Sequence, residues 1–169
     1  MLRLYVMRHA KSSWAAPGAR DFDRELNERG ILDLEKISAR IKTSEYRPEL
    51  ILCSAAVRTR LTLQGIIDAM SPSPKIEYTE KLYSSGLEDY MRLLQELDGP
   101  KSVMVIGHNP MCGSLASSLA GSGDDQYIET ITYKYPTSTI SVLDFNLDAW
   151  SDLEPQSGDL IDLIIPSEL

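Results

Sequence analysis

Short apolar segments alternate along this chain with longer segments whose apolar residues recur at helical spacing. The strand-like segments are residues 2–7, 49–53, 75–78, 102–107, 139–145 and 159–165. Residues 102–107 (SVMVIG) have the continuous apolar character of a central parallel strand that is covered on both faces. The alternation predicts an α/β fold, a three-layer α-β-α sandwich with a mostly parallel sheet and an antiparallel strand at its edge.

Helical periodicity between these strands predicts four helices, and polar residues mark where three of them begin. Asn27 is the predicted N-cap of the first helix, and Ser54 is the predicted N-cap of the second. The segment GLEDYMRLLQELDG forms the third, and Asn109 followed by Pro110 begins the fourth. No linker, internal repeat or low-complexity segment divides the chain, so a single domain over residues 1–169 is expected.

Charge and residue counts exclude several classes of partner. A net charge of -8 disfavours nucleic acid and anionic membranes, because the field of the whole molecule repels them. Cys53 and Cys112 fit neither a disulfide framework nor a zinc spacing, and two histidines are too few for a structural metal site. Arg3 interrupts the apolar N-terminus, unlike a secretory signal, and no apolar run approaches the roughly 20 residues that cross a bilayer. We expect a cytoplasmic protein with no metal or other cofactor.

Polar residues follow three of the predicted parallel strands, where such sheets bind their ligands. Arg8 and His9 follow the first strand, Ser54 and Arg58 follow the second, and His108 with Asn109 follows residues 102–107. Both histidines of the chain are therefore predicted to meet two arginines at one edge of the sheet.

This cluster is suited to a phosphoryl group, which carries negative charge and three acceptor oxygens. The predicted phosphate-binding residues combine two guanidiniums, an imidazole and two helix N-termini: Arg8, Arg58, His108, Ser54 and Asn109. His9 is the candidate nucleophile, since a neutral imidazole can attack phosphorus and form a phosphohistidine intermediate. His108, expected to be protonated, would then neutralise transition-state charge together with Arg8 and Arg58.

Four motifs in order, RHAKSSW, DFDRELNERG, CSAAVRTRLT and VIGHNP, resemble the histidine phosphatase (phosphoglycerate mutase-like) superfamily, and specifically its small SixA-type phosphohistidine phosphatases. The resemblance implies that Arg8 and Arg58 bind the phosphate, that His9 is phosphorylated and that His108 is the second pocket histidine. It also implies a core that needs no metal.

The chain departs from the pattern of the superfamily's phosphomonoesterases and mutases, which generally carry an acidic residue near the segment EKLYSSGLED. Ser84 is the best match to that position, and Glu80 is the candidate general acid, with Glu88 and Asp89 as alternatives. An ester's alkoxide needs a proton donor, whereas a phosphorylated imidazole can leave neutral once its other nitrogen is protonated. A missing acid therefore favours phosphohistidine, and a short chain favours a pocket open to a protein such as a phosphotransfer domain of a histidine-kinase relay.

Three alternatives stay open. The chain could be a broad phosphomonoesterase acting on small phosphorylated compounds, or a phosphohistidine-binding module without turnover. It could also be a cysteine phosphatase, although only four residues separate Cys53 from Arg58 where that class has five. We expect Cys53 and Cys112 to be buried packing residues, and Asp124 and Asp125 to lie in a charged loop. Side chains from the segment Lys11–Trp14 are candidates for the pocket wall or for contact with a partner protein.

Overall fold

The computed structural model describes residues 1–14 and 16–169 and contains one seven-stranded sheet with the strand order β3-β2-β4-β1-β6-β7-β5. The strands are β1 (Leu2–Arg8), β2 (Leu50–Ser54), β3 (Lys75–Thr79), β4 (Ser102–Gly107), β5 (Ala120–Gly123), β6 (Ile140–Phe145) and β7 (Gly158–Ile164). The predicted α/β class is confirmed. All six predicted strands are present within one or two residues of their expected bounds, and β5 is an addition.

Strand β6 is antiparallel to both of its neighbours, β1 and β7, while the remaining pairings are parallel. The predicted antiparallel strand therefore exists, but its expected place at the edge of the sheet is wrong. Side chains on both faces of β6 are buried, among them Val142 on one face and Leu143 and Phe145 on the other, as expected of an interior strand. The short strand β5, half-buried to exposed, forms the edge instead.

Helices cover both faces of the sheet, and the side chains of β1 alternate between the two cores that result. The helices are α1 (Glu28–Lys42), α2 (Val57–Ile66), α3 (Lys81–Ser84), α4 (Leu87–Gln95), α5 (Met111–Leu119) and α6 (Asp125–Tyr133). Leu4 and Val6 pack in the core beneath α4, α5 and α6, whereas Tyr5 and Met7 pack in the core beneath α1 and α2. This is the predicted three-layer arrangement.

The predicted helix starts have different outcomes. Asn27 is confirmed as an N-cap, because its side chain accepts a hydrogen bond from the Gly30 amide at 2.9 Å. The prediction for Ser54 is wrong: it is the last residue of β2, and α2 begins only at Val57 without a side-chain cap. Helix α5 begins at Met111, after Pro110, so Asn109 lies one residue ahead of the cap position.

The sequence prediction assigns no strand or helix to residues 122–133, where the structure has the end of strand β5 followed by helix α6. The expectation of a charged loop at Asp124 and Asp125 is wrong, since the Asp124 side chain accepts from the Gln126 amide at 2.8 Å and caps α6. Ile131 is the fully buried residue of α6, and Tyr127 and Ile128 pack against the same core, so the helix carries an apolar face. Across the described residues, no helix is both long and apolar enough to cross a membrane.

Candidate active site

The ends of three neighbouring parallel strands bring the predicted site residues together. Arg8 ends β1, His9 follows it, and His108 follows β4, whose Gly107 is the register partner of Arg8. Arg58 lies in the first turn of α2, just after β2. The two imidazole rings have centroids 5.2 Å apart, and Arg58 Nε lies 3.4 Å from His9 Nε2.

His9 is held in the tautomer that a nucleophile requires. Its Nδ1–H donates to the carbonyl oxygen of Ala10 at 2.7 Å, which leaves the lone pair on Nε2. The Ala10 amide donates in turn to Thr62 Oγ1 at 2.9 Å, so this support is anchored to α2. Burial, with a smaller contribution from the positive charges of Arg58 and Arg8, lowers the pKa of His9 to about 4. The imidazole is therefore neutral at physiological pH.

Burial favours the neutral form of His108 as well, whereas the sequence prediction has an imidazolium that neutralises charge in the transition state. Burial is the main cause and the neighbouring His9 the next, and together they lower the pKa of His108 to about 3. Its Nε2 shares a hydrogen bond of 2.8 Å with Ser54 Oγ, while its buried Nδ1 has no hydrogen-bond partner among residues 1–14 and 16–169. Ser54 is fully buried, so it positions the imidazole of His108 and does not face the cavity.

The Arg8 guanidinium is oriented by a loop that a buried tyrosine anchors. Arg8 Nη1 donates to the carbonyl oxygen of Tyr135 at 2.9 Å, and Asn109 Nδ2 donates to the same oxygen at 3.1 Å. The Tyr135 hydroxyl donates to the Val6 carbonyl at 2.6 Å, which ties this loop to β1. Arg8 Nε is buried and has no partner in the described part of the chain. It is a donor that a bound anion could satisfy.

Asp21 is the site residue that the sequence reasoning missed. Its carbonyl oxygen accepts from Arg58 Nη1 at 2.8 Å, and its Oδ2 accepts from Arg58 Nη2 at 3.1 Å and from the Tyr83 hydroxyl at 2.8 Å. Its Oδ1 accepts from Arg24 Nη1 at 3.1 Å. The hydrogen bond from Tyr83, followed by those from Arg24 and Arg58, lowers the pKa of Asp21 to about 2. Asp21 is the first residue of the motif DFDRELNERG, to which the sequence prediction assigns no catalytic or binding residue.

These side chains border a cavity of about 530 Å³ at the carboxyl edge of the sheet. The lining residues are Arg8, His9, Lys11, Ser12, Arg24, Arg58, His108, Asn109, Pro136 and Thr137. Three arginines and a lysine meet two neutral histidines there, so a locally cationic site exists in an acidic chain. Lys11 and Ser12 line the cavity, whereas Trp14 is 90% exposed. The arrangement is suited to a small, multiply charged oxyanion.

The predicted candidate acid, Glu80, does not lie at this site, and that prediction is wrong. Glu80 is exposed and lines a separate cavity beside α3 and α4, together with Ser84 and Asp89. The chain turns after β3, and the short helix α3 directs Tyr83, not Glu80, toward the two histidines. The rings of Tyr83 and His108 are in T-shaped contact, with their centroids 5.5 Å apart. Asp21, which Tyr83 contacts, is ionised at neutral pH and holds no proton to donate.

The cysteines have no place in this chemistry. Cys53 and Cys112 are both fully buried, and burial raises the pKa of each thiol to about 12. A thiol with so high a pKa supplies almost no thiolate at neutral pH. Within the described residues, no three His, Cys, Asp or Glu side chains are grouped as a metal site would require.

The lowered histidine pKa values predict an unusual titration. A group whose pKa lies at about 4 or about 3 stays neutral as the pH falls through 6.5 and gains its proton only below pH 5. Because the chain has two histidines, ¹⁵N-histidine NMR resolves them, and a His9→Asn variant assigns the signals. We expect both rings to keep neutral-imidazole shifts from pH 8 to about pH 5. A midpoint near 6.5 for either ring would contradict the burial argument.

Comparison with known proteins gives concordant matches. A sequence model of the histidine phosphatase superfamily (branch 1) matches residues 4–96. A Mycobacterium leprae protein of uncharacterised activity is 31% identical over 95% of this chain and 99% of its own length. The phosphohistidine phosphatase SixA of Escherichia coli is 26% identical over 70% of this chain and 74% of its own. The crystal structure of a presumed SixA phosphohistidine phosphatase from Agrobacterium tumefaciens is 36% identical, with a TM-score of 0.83 and 98% coverage of both chains.

Proposed function

This chain belongs to branch 1 of the histidine phosphatase superfamily as a SixA-type member, and we propose that it hydrolyses phosphohistidine on a protein through a phosphorylated His9. The observation that carries this proposal is the position of His9 in a cationic cavity, where its unprotonated Nε2 lies 3.4 Å from Arg58 Nε. A phosphoryl group placed there meets a neutral nucleophile and a charge-assisted donor on one side.

The proposed reaction has two displacements at phosphorus. In the first, His9 Nε2 forms a bond to phosphorus while the substrate's P–N bond breaks, and the electron pair of that bond goes to the departing imidazole. In the second, water attacks phospho-His9, releasing inorganic phosphate and restoring the imidazole. Arg8 and Arg58 would bind the equatorial oxygens, and the negative charge of the phosphoryl group would favour a proton on His108 Nδ1.

The leaving group supports a phosphoramidate over an ester. No carboxylic acid with an ordinary pKa lines the cavity formed by the described residues, and Asp21 beside it is ionised. An alkoxide would have to leave without a proton donor, whereas an imidazole protonated on its distal nitrogen leaves as a neutral molecule. Phosphohistidine is the common protein phosphoramidate that fits this requirement.

The rim of the cavity supports a protein as the carrier of the phosphohistidine. Trp14 is 90% exposed. Its ring packs against the guanidinium of Arg24, whose Cζ lies 5.4 Å from the ring centroid, and Arg24 lines the cavity. An exposed tryptophan beside a catalytic cavity offers apolar area to a partner surface. A phosphotransfer domain that presents a phosphohistidine on a helix is the kind of substrate we propose.

A comparison of substrates tests the proposal. We expect kcat/KM for a histidine-phosphorylated phosphotransfer domain to exceed that for free phosphohistidine, and both to exceed that for phenyl phosphate. Equal values for the phosphoprotein and free phosphohistidine would remove the protein from the proposal. A preference for phenyl phosphate would indicate a broad phosphomonoesterase, and tight binding of the phosphoprotein without release of phosphate would indicate a binding module.

A further inference from the structure

Asp21 places one carboxylate against a site that otherwise carries positive charge. It contacts Arg24 and Arg58, both of which line the cavity, and through Tyr83 it is linked to His108. The carboxylate therefore lies beside the cavity, in contact with two of the arginines that line it. A negative charge in this position weakens the attraction of the site for a phosphoryl dianion. The carboxylate therefore needs a function that offsets this loss of phosphate binding.

Holding Arg58 in place does not by itself require that charge. The main-chain carbonyl of Asp21 already accepts from Arg58 Nη1 at 2.8 Å, and a neutral side-chain amide could accept from Arg58 Nη2. The carboxylate offers about four acceptor positions, and three protein donors use it. Its side chain is 53% exposed, so the carboxylate is not enclosed by these three donors.

We propose that Asp21 is a specificity-determining residue that selects leaving groups carrying an N–H donor and positive charge, such as a protonated imidazole. This inference rests on the proposed function and concerns the leaving group alone. While the P–N bond breaks, the distal N–H of the substrate imidazole donates to the Asp21 carboxylate and keeps its proton. The bonding electron pair passes to the proximal nitrogen, so the imidazole departs neutral. An oxyanion leaving at the same place is repelled by the carboxylate.

The test uses two substrates whose leaving groups have similar size, N-phosphoimidazole and phenyl phosphate. In an Asp21→Asn variant, we expect kcat/KM for N-phosphoimidazole to fall and that for phenyl phosphate to rise. The ratio of the two constants should decrease at least about tenfold, corresponding to one charge interaction at the rim of a cavity. Changes in Arg58 or in phosphate binding affect both substrates alike and cancel in this ratio.

Asp23→Asn is the matched control, because Asp23 lies in the same 3-10 turn, Asp21–Asp23, and pairs with the exposed Arg20 at 2.9 Å, away from the cavity. Its ratio should equal that of the wild type. If Asp21→Asn changes both substrates by the same factor, Asp21 only positions Arg58 and the inference is overturned. The proposed function is tested separately by the wild-type protein. If the wild type has a higher kcat/KM for phenyl phosphate than for N-phosphoimidazole, the proposed function is overturned, whatever effect Asp21→Asn has on the ratio of the two constants. Loss of both activities in the wild type would overturn the two together.

Discussion

Replacement of His9 by asparagine is expected to abolish turnover and to eliminate the acid-labile phosphoenzyme. The proposed mechanism has no second route to phosphorus, because His9 Nε2 provides the lone pair that forms the new bond. Loss of a nucleophile of this kind lowers kcat by about 10⁴-fold or more. The measurement is a single-turnover reaction with a ³²P-labelled phosphoramidate, followed by separation of acid-labile protein-bound label from free phosphate.

A His108→Asn variant is the matched control, because it removes the other imidazole of the chain from the same cavity. We expect it to form the phosphoenzyme on His9 more slowly and to hydrolyse it more slowly, since it lacks the Nδ1 that faces no protein partner within the described chain. Persistent label in His9→Asn, located on His108, would exchange the proposed roles of the two histidines. Label on any other residue would overturn the mechanism.

Replacement of Arg58 by alanine is expected to lower kcat/KM by about 10²- to 10³-fold, as removal of a preorganised transition-state donor does. Arg58 is 7% exposed, and its Nε already lies 3.4 Å from the nucleophilic nitrogen. Once phosphorus binds to His9, that N–H is available to a phosphoryl oxygen. Arg58→Lys keeps the charge but loses the planar fork, so we expect it to recover only part of the loss. Initial rates over a range of substrate concentrations measure both effects.

Arg60→Ala provides the control for Arg58, because Arg60 is in the same helix but is exposed and lies over the ring of Tyr78, at 4.7 Å. It should keep wild-type kcat/KM. Thermal unfolding of each variant is needed alongside, since Asp21 loses two hydrogen bonds when Arg58 is removed. An Arg58→Ala protein that folds normally and retains wild-type kcat/KM would exclude Arg58 from transition-state binding.

Sequence reasoning succeeded where a local pattern carries its own physical cause. The strand segments were recognisable because buried strands need apolar residues, and Asn27 was recognisable because a helix start needs an acceptor for its free amides. It failed where a partner distant in the chain decides the outcome. Ser54 is a residue type that often caps helices, but its hydroxyl is hydrogen-bonded to His108 Nε2. A different cause applies to the N-cap Asp124: Tyr127, Ile128 and Ile131 follow it at helical spacing and pack against one core, a local signal that the loop prediction does not use.

The sequence by itself determined which chemical groups meet at the site. Each of them lies at the end of a parallel strand or at the start of the helix that follows it: Arg8, His9, Arg58 and His108. The carboxyl ends of parallel strands lie at one edge of the sheet, so these groups converge. Tertiary structure decided the protonation states of these groups and which other side chains surround them. Burial makes both histidines neutral, and the turn after β3 brings Tyr83 to the site while Glu80 stays outside. The contacts of Asp21 with Arg58 and Tyr83 join segments 37 and 62 residues apart. No local pattern encodes such contacts, because they depend on how the loops pack once the sheet has formed.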